Sequence, residues 1–399
     1  MKIINFDHLA CSPILPEARE AMLPFLSEDI GNPLSRHMMA DKPRAALEEA
    51  RESVAKLIGA GPEEIIFTSC GSESNNLAVK GVASAYIKKR RHIIASPIEH
   101  HSLIHPLKAL EKQGYEISWL KVDQNGNVNP EEVASLIRED TILIIVTLAS
   151  NEIGTLEPIK EIGTIAQQRN VTFHTDAVAC AGLVDIDVKE LHVDLLSLAG
   201  NVFYGPQGTG ALYVKTGTRI IPLIGGGIQE GGFRAGTHNL AGIAGMGQAA
   251  KIARENLAER QKYLLGLRDR LIDGTLEKIP DCFLTGERVN RLPNHASFCI
   301  KFIEGESILL HLNFLGIAGT SGSTCSSEAL KVSHVLDAIG VDPLWAQGSV
   351  VFTLGVDNNA EDVELFLKEF PPIVDKLRKM SPLTVTDNMN QFRYNKKNN

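Results

Sequence analysis

The chain has 399 residues, of which 44% are hydrophobic and 22% charged, and its formal net charge is −8. This length is sufficient for two or three domains with a substantial core. The mild acidity argues against nucleic acid as the main partner, because binding to phosphates needs clustered positive charge. The six cysteines form no CxxC pair, and neither a signal-peptide core nor a run of ~18 apolar residues is present. We therefore expect a soluble, cytoplasmic α/β protein that does not enter a membrane.

Up to about residue 245, short apolar runs alternate with longer helical patterns. The run 141–147 (TILIIVT) is almost continuously apolar and β-branched, which suits a strand buried on both faces. This alternation predicts a mainly parallel sheet covered by helices, with right-handed crossovers. The predicted strands are 63–69, 92–96, 115–122, 141–147, 171–176, 194–198 and 210–214, and the predicted helices are 75–89, 102–113, 130–139 and 158–168.

The pattern changes beyond residue 245. Residues 247–279 are typical of one long, charged helix that bridges two domains. Strands at 296–302 and 350–354 then mix with helices at 306–315 and 360–379. We predict a large α/β domain at 15–255, a smaller α+β domain formed by 1–14 and 256–385, and a flexible tail at 386–399, which is polar and lacks apolar periodicity.

Polar loops follow several of the predicted strands. The turn before the helix at 75–89 contains Gly71 and Ser72, and such a turn either binds an anion at the helix N-terminus or simply reverses the chain. His100 lies in a second loop and Asn151 in a third. Asp176 lies at the end of a strand, where it is either a buried carboxylate that pairs with a cation or a simple capping residue. Because parallel strands end at one edge of a sheet, we expect these loops to meet in one cleft.

The segment 319–327 (GTSGSTCSS) contains only small residues and one cysteine, Cys325. Free cysteines are usually buried and inert. The neighbours of Cys325 cannot form a core, so we expect this thiol to be exposed and movable. The other five cysteines lie in apolar, strand-like or turn contexts, and we interpret them as structural.

Taken together, these motifs resemble the cysteine desulfurases of the NifS/IscS type, which have the class V aminotransferase fold. The resemblance covers nearly the whole chain. Its motifs are Asp7–Pro13 (DHLACSP), Gly31–Pro33 (GNP), Phe67–Asn76 (FTSCGSESNN), Glu99-His100, Asn151–Thr155 (NEIGT), Tyr204–Gly208 (YGPQG), Arg234–Thr237 (RAGT) and Ser321–Ser327 (SGSTCSS).

The resemblance implies a homodimer with a pyridoxal phosphate pocket between a large α/β domain and a small one. It implies that the cysteine matching Cys325 takes sulfur from substrate cysteine and passes it to acceptors such as an iron–sulfur scaffold. The cofactor ring would lie against His100, with its nitrogen paired to Asp176 and its hydroxyl near Asn151. The residues matching phosphate ligands are Gly71, Ser72 and, from the partner subunit, Thr237.

The sequence departs from the family at the centre of this pocket. The family has Ser-Gly-His-Lys, whose lysine forms the Schiff base, where this chain has Ala199-Gly200-Asn201-Val202. A glutamine expected three residues after Asp176 is Ala179, and two expected arginines are Val351 and Val356. Valine can neither bond the cofactor nor move a proton. Without a pyridinium partner, the pKa of Asp176 should rise unless another cation or donor replaces it.

These departures leave several hypotheses open. The first is a divergent homologue that accepts sulfur through Cys325, or supplies its thiolate to a shared iron–sulfur cluster, without Schiff-base chemistry. The second is an enzyme that holds pyridoxal phosphate noncovalently or through another lysine. The third is a noncatalytic partner of a desulfurase or scaffold. A fourth is a zinc or iron site built from His100, His101, His174 and Asp176, although their spacing is not diagnostic.

Overall fold

A computed structural model describes residues 3–86, 91–322 and 333–381. Cys325 and the predicted tail at 386–399 lie outside the described residues. In the described part, the strands in chain order are β1 (Ile4–Asn5), β2 (Ile65–Thr68), β3 (His92–Ala95), β4 (Glu116–Trp119), β5 (Thr141–Ile145), β6 (Thr172–Asp176), β7 (Leu195–Ala199), β8 (Gly210–Val214), β9 (Cys282–Leu284), β10 (His295–Ile300), β11 (Ile317–Ala318) and β12 (Ser349–Thr353).

The α-helices of the same residues connect and cover these strands. They are α1 (His8–Cys11), α2 (Pro16–Met22), α3 (Pro24–Ser27), α4 (Asp41–Leu57), α5 (Gly71–Tyr86), α6 (His101–Glu111), α7 (Pro130–Leu136), α8 (Ile159–Arg169), α9 (Leu240–Glu255), α10 (Leu257–Lys278), α11 (Gly305–Phe314), α12 (His334–Ala338), α13 (Pro343–Ala346) and α14 (Ala360–Met380). No helix of the described ranges is long and apolar enough to cross a membrane.

The large sheet has seven strands in the order β2-β8-β7-β6-β5-β3-β4. Neighbours from β7 to β4 are parallel, and β8 is antiparallel to both β7 and β2. The prediction of a mainly parallel sheet is confirmed. Because β2 runs in the same direction as β7, the chain leaves β2, β3, β5 and β6 at one edge of the sheet, where α/β proteins place their sites.

The continuous apolar run in the centre of this sheet is explained by burial on both faces. All five residues of β5 are buried, and Ile144 and Ile145 pack into different hydrophobic clusters. A strand covered by helices on both sides cannot alternate polar with apolar residues, since each face meets a core. The run 141–147 therefore predicted both the strand and its burial on two faces.

A separate core forms around the antiparallel sheet β12-β10-β9. Helices α10, α11 and α14 pack on it, with Phe352, Phe366 and Phe370 at the centre; the rings of Phe352 and Phe366 are 4.8 Å apart in edge-on contact. Near the start of the chain, β1 pairs with β11, and Phe6 is fully buried in this core.

The prediction of one helix over 247–279 is wrong. The chain forms α9 and α10, which are separated at Asn256, where φ is −106° and ψ is 11°. The Asn256 side chain donates to the carbonyl of Ile252, so it caps the end of α9 instead of continuing the helix. Helix α9 packs on α2 and α4, whereas α10 packs on α14.

Candidate active site

A cavity of about 330 Å³ opens at the edge of the large sheet where the parallel strands end. The loops after β3, β5 and β6 contribute His100, Asn151 and Asp176, and the start of α5 contributes Gly71 and Ser72. The predicted loops thus meet in one cleft, which Thr320 to Gly322 and Val351 also line. The described part of the chain therefore brings together five of the six residues that match cofactor ligands.

Asp176 is the buried carboxylate of this cavity. Its Oδ1 accepts a hydrogen bond from the backbone N–H of Val178 at 2.9 Å, and its Oδ2 accepts from Asn75 Nδ2 at 2.7 Å. Burial raises the pKa of Asp176 above its ordinary value, although His100 and these two donors act in the opposite direction. The contribution of a missing pyridinium partner to this rise stays a prediction.

Asn75 connects Asp176 to His100. Its amide nitrogen also donates to Ser102 Oγ at 2.8 Å, and Ser102 Oγ lies 2.7 Å from Nδ1 of His100. The backbone N–H of Ser102 donates to the same Nδ1, so His100 accepts at Nδ1 and its neutral form carries the proton on Nε2. The network orients the imidazole by hydrogen bonds from the first turn of α6.

Acidic groups surround the cavity. Asp7 and Glu152 line it, and burial raises the pKa of Asp7 to about 6 and that of Glu152 to about 7. Glu99 is fully buried beside them; its Oε1 accepts from the backbone N–H of Thr147, and burial together with Asp176 raises its pKa well above the ordinary value. These carboxyl groups therefore bind protons more tightly than ordinary carboxyl groups do.

The turn that carries Asn151 is held by the small antiparallel sheet and its flanking segment. His295 Nε2 donates to the carbonyl of Asn151 at 2.9 Å, and Arg291 donates to the carbonyl of Ile153 at 2.8 Å. Gly154 has φ +77°, and a Cβ there would lie 2.7 Å from His295 Nδ1. Glycine is required because these side chains approach the backbone so closely.

Most residues that depart from the family motif line the cavity, and those that do are apolar except Asn201. Ala179, Ala199, Asn201 and Val202 all line the cavity, and the exposed fraction of Val202 is 5%. Val351 lines it as well. Val356 does not line the cavity; its side chain is 38% exposed and its backbone N–H donates to Tyr204.

Thr237 lies outside this cavity. It borders a smaller one together with Thr68 and Ser69, on the outer side of the β2–α5 turn. Arg234, three residues earlier, pairs with Glu73 in the first turn of α5, with 2.9 Å between Nε and Oε1. The resemblance assigned Thr237 to a partner's pocket, and the position of Thr237 in its own chain leaves that role a prediction.

Cys70 differs from the other described cysteines in its exposure, and its interpretation as a structural residue stays a prediction. Cys70 is exposed and lines the cavity just before α5, because the chain turns there at the open edge of the sheet. Its place in the turn after β2, beside Gly71, was the signal that sequence reasoning missed. Cys180 and Cys299 are buried and Cys282 is partly buried, and burial raises the pKa of each thiol.

The alternative of a metal site receives no support from the described residues. None of them forms a group of three or more His, Cys, Asp or Glu side chains that could hold a metal ion. His174 hydrogen-bonds Ser197 on β7 and is not among the residues lining the cavity. Burial lowers the pKa of His174 to about 3, so it is a neutral core residue.

Comparison with known proteins defines the class of this fold and site. The family model of class V aminotransferases matches residues 4–366, and the chain belongs to this family. A solved NifS-like protein superimposes with a TM-score of 0.89 at 36% identity, covering 94% of this chain and all of that one. A NifS-like protein from Rickettsia africae superimposes with a TM-score of 0.84 at 30% identity, over 94% of this chain and all of that one.

Among curated proteins the similarity is to cysteine desulfurases. The chain is 49% identical to the cysteine desulfurase IscS of Dictyoglomus turgidum over 95% of this chain and 96% of that protein. It is also 49% identical to the cysteine desulfurase IscS of Methanosarcina thermophila, over 96% and 95% of the two chains. This chain therefore has the NifS-like fold, and its near relatives carry the IscS name.

Proposed function

We propose that this chain is a divergent cysteine desulfurase homologue that acts in sulfur transfer or iron–sulfur cluster assembly through Cys325, without Schiff-base chemistry. One observation carries the proposal. Among the described residues that line the cavity, there is no lysine and no arginine. The position that matches the family's catalytic lysine is Val202, whose side chain has neither an amine nor a base.

Pyridoxal phosphate does not fit the described residues as a covalently held cofactor. Asp176 could receive a pyridinium, and the N-terminus of α5 at Gly71 could receive a phosphate. Ala199 and Val202 line the cavity where the family has a serine and the lysine. Ala179 replaces the expected glutamine. The loss of two polar contacts, at ~1.5–3 kcal/mol each, would weaken binding by several factors of ten. No step of the proposed function therefore passes through this cofactor.

The position of Cys325 in the chain supports its role. The segment 323–332 joins Gly322, which lines the cavity, to Ser333, whose hydroxyl donates to Glu152 on the cavity wall. In sulfur acceptance, the Cys325 thiolate would attack the outer sulfur of a donor persulfide. A new S–S bond forms, the donor's S–S bond breaks, and the donor leaves as a thiolate, so no oxidant is needed. In cluster assembly the same thiolate would be a ligand.

Sulfur labelling tests this proposal. The full chain is incubated with a catalytic amount of an active cysteine desulfurase and ³⁵S-cysteine, and the label bound to the chain is measured with and without reductant. We expect reducible label on the wild type and on Cys282→Ala, the matched control in β9, and a loss of at least roughly tenfold in Cys325→Ala. Equal labelling of all three proteins would contradict the proposal, provided that thermal unfolding shows all three to be folded.

Noncovalent binding of pyridoxal phosphate is a second candidate, favoured by the burial of Asp176 beside the start of α5. Absorbance spectra during a titration with pyridoxal phosphate distinguish the two candidates. We expect no protein-dependent visible band with the wild type and a band with Val202→Lys, which restores the amine. A band with the wild type would favour the second candidate over the first.

A further inference from the structure

The cavity beside Asp176 has an unusual charge. Of the described residues that line it, the charged ones are all acidic: Asp7, Glu152 and Asp176. His100 and His101 also line the cavity, and burial together with neighbouring histidines lowers the pKa of His101 to about 4, so that it is neutral at physiological pH. An anionic ligand would meet negative charge here, whereas a cation would neutralise it.

Two residues that line the cavity have buried acceptor atoms without donors among the described residues. Asn75 is 99% buried and lines the cavity, and its Oδ1 has no partner among the described residues. The other end of the same amide donates to Asp176, so an unused acceptor and a carboxylate lie side by side. Asp7 Oδ1 is a second buried acceptor without a partner in the described part of the chain. Buried acceptors are normally satisfied, and a bound molecule with N–H groups would satisfy these.

The walls beside these acceptors are apolar. Val178, Ala199 and Val202 line the cavity next to Asp176, and each is an alkyl side chain. A volume of about 330 Å³ accommodates a small organic molecule. The site therefore matches a ligand with a compact cationic head that donates hydrogen bonds and a short alkyl body.

We propose that this cavity binds a primary alkylammonium ion, with its head on Asp176 and Asn75 Oδ1 and its alkyl chain against Val178 and Val202. The inference rests on the part of the proposed function that excludes covalently held pyridoxal phosphate. It is independent of any chemistry at Cys325. Val202, which stands at the position of the family's lysine, would contact the alkyl chain of the ligand.

Calorimetric titration of the full chain tests the proposal with butylammonium as the probe and butanol as its neutral counterpart at pH 8. We expect butylammonium to bind at least roughly tenfold more tightly than butanol, since a charge-assisted hydrogen bond contributes this much or more. Asp176→Asn should weaken butylammonium binding by a similar factor. Asp185→Asn, an exposed carboxylate on the same domain, is the matched control and should bind as the wild type does.

A second variant keeps the test valid if Asp176→Asn does not fold. Val202→Lys places an ammonium group in the cavity wall, so it should abolish butylammonium binding while all the carboxylates remain. Equal binding of butylammonium and butanol, or binding unaffected by Val202→Lys, would overturn the inference. A visible pyridoxal phosphate band with the wild type would overturn both this inference and the proposed function. Amine binding without sulfur labelling would support the inference and overturn only the proposed function.

Discussion

Glu157 is a buried carboxyl group whose proton affinity depends on folding. Its Oε2 accepts from the backbone N–H of Val128, Oε1 has no partner among the described residues, and burial raises its pKa from 4.5 to about 8. Between pH 4.5 and 8 the unfolded chain loses this proton and the folded chain keeps it. The free energy of unfolding therefore falls as pH rises through this window.

We expect Glu157→Gln to remove this dependence. The variant should gain stability relative to the wild type between pH 5 and pH 8, by an amount on the order of a few kcal/mol. Urea unfolding at the two pH values measures the difference. Buried histidines such as His174, whose pKa is lowered, act in the opposite direction in both proteins, so the comparison cancels them. Glu131→Gln on the exposed first turn of α7 is the control, and an equal pH effect in it would contradict the prediction.

Arg51 and Glu230 form a buried ion pair. Both guanidinium nitrogens contact the carboxylate, at 2.8 and 2.9 Å, and Glu230 also accepts from His238 and the backbone N–H of Phe67. Arg51 and His238 lower the pKa of Glu230 to about 2 despite its burial. Removing Arg51 would leave the buried Glu230 carboxylate with only His238 and the backbone N–H of Phe67 as partners.

We expect Arg51→Ala to lower the free energy of unfolding by about 3–5 kcal/mol, which is the usual cost of breaking a buried pair. Arg270→Ala is the matched control, because Arg270 and Glu364 form a similar contact at 2.6 Å in solvent. The control should have a much smaller effect. Chemical denaturation measures both variants, and equal losses would show that burial does not determine the strength of this pair.

At the scale of elements, the contact between α4 and α9 depends on a glycine. A Cβ at Gly247 would lie 2.5 Å from Ala50 Cα, so the two helices touch through their backbones. Gly266 in α10 offers the opposite case, since nothing lies within 4 Å of its added Cβ. The same substitution therefore has opposite effects at the two helices.

We expect Gly247→Ala to destabilise the protein by about 1–3 kcal/mol through overpacking. Gly266→Ala should stabilise it by about 0.5–1 kcal/mol, because alanine loses less backbone entropy in a helix. Thermal and urea unfolding of the two variants check the signs. If Gly247→Ala stabilises the protein, α4 and α9 can move apart without a loss in the free energy of unfolding, and the prediction is contradicted.

The sequence predicted elements best where local pattern and burial agree. The β-branched run 141–147 contains β5, and the predicted strand 210–214 coincides with β8. The periodicity of apolar residues does not indicate strand direction, so the antiparallel direction of β8 was not predicted. The break at Asn256 was also missed, since charged helical patterning continues on both sides and one side-chain cap decides the ending.

Site residues were predicted where they follow strands of the parallel sheet. His100, Asn151 and Asp176 meet as expected because the sheet places its strand ends together. Asn75 was missed as a residue joining Asp176 to His100, since its contacts depend on how α5 packs against α6 and the end of β6. Such long-range contacts leave no spacing signal in the sequence.

At the scale of the whole molecule, several large apolar side chains are exposed outside the α-helices and strands. Ile30, Met38 and Ile228 are exposed, and Leu34 and Ile228 border a second cavity of about 680 Å³. Scattered apolar residues are normal on surfaces, whereas exposed apolar residues that border one cavity, as Leu34 and Ile228 do, are typical of an interface. We propose that a second copy of the chain covers this surface, in keeping with the homodimer implied by the resemblance.

We expect the wild type to sediment as a dimer and the double variant Met38→Glu, Ile228→Glu to sediment as a monomer, because two buried carboxylates would face each other across a symmetric interface. Val289→Glu, at an exposed valine between β9 and β10, is the control and should remain dimeric. Sedimentation velocity measures all three. If the double variant stays dimeric, the interface lies elsewhere. If it becomes monomeric and still binds butylammonium, the cavity is complete within one chain, and Thr237 of the partner subunit is not needed for that ligand.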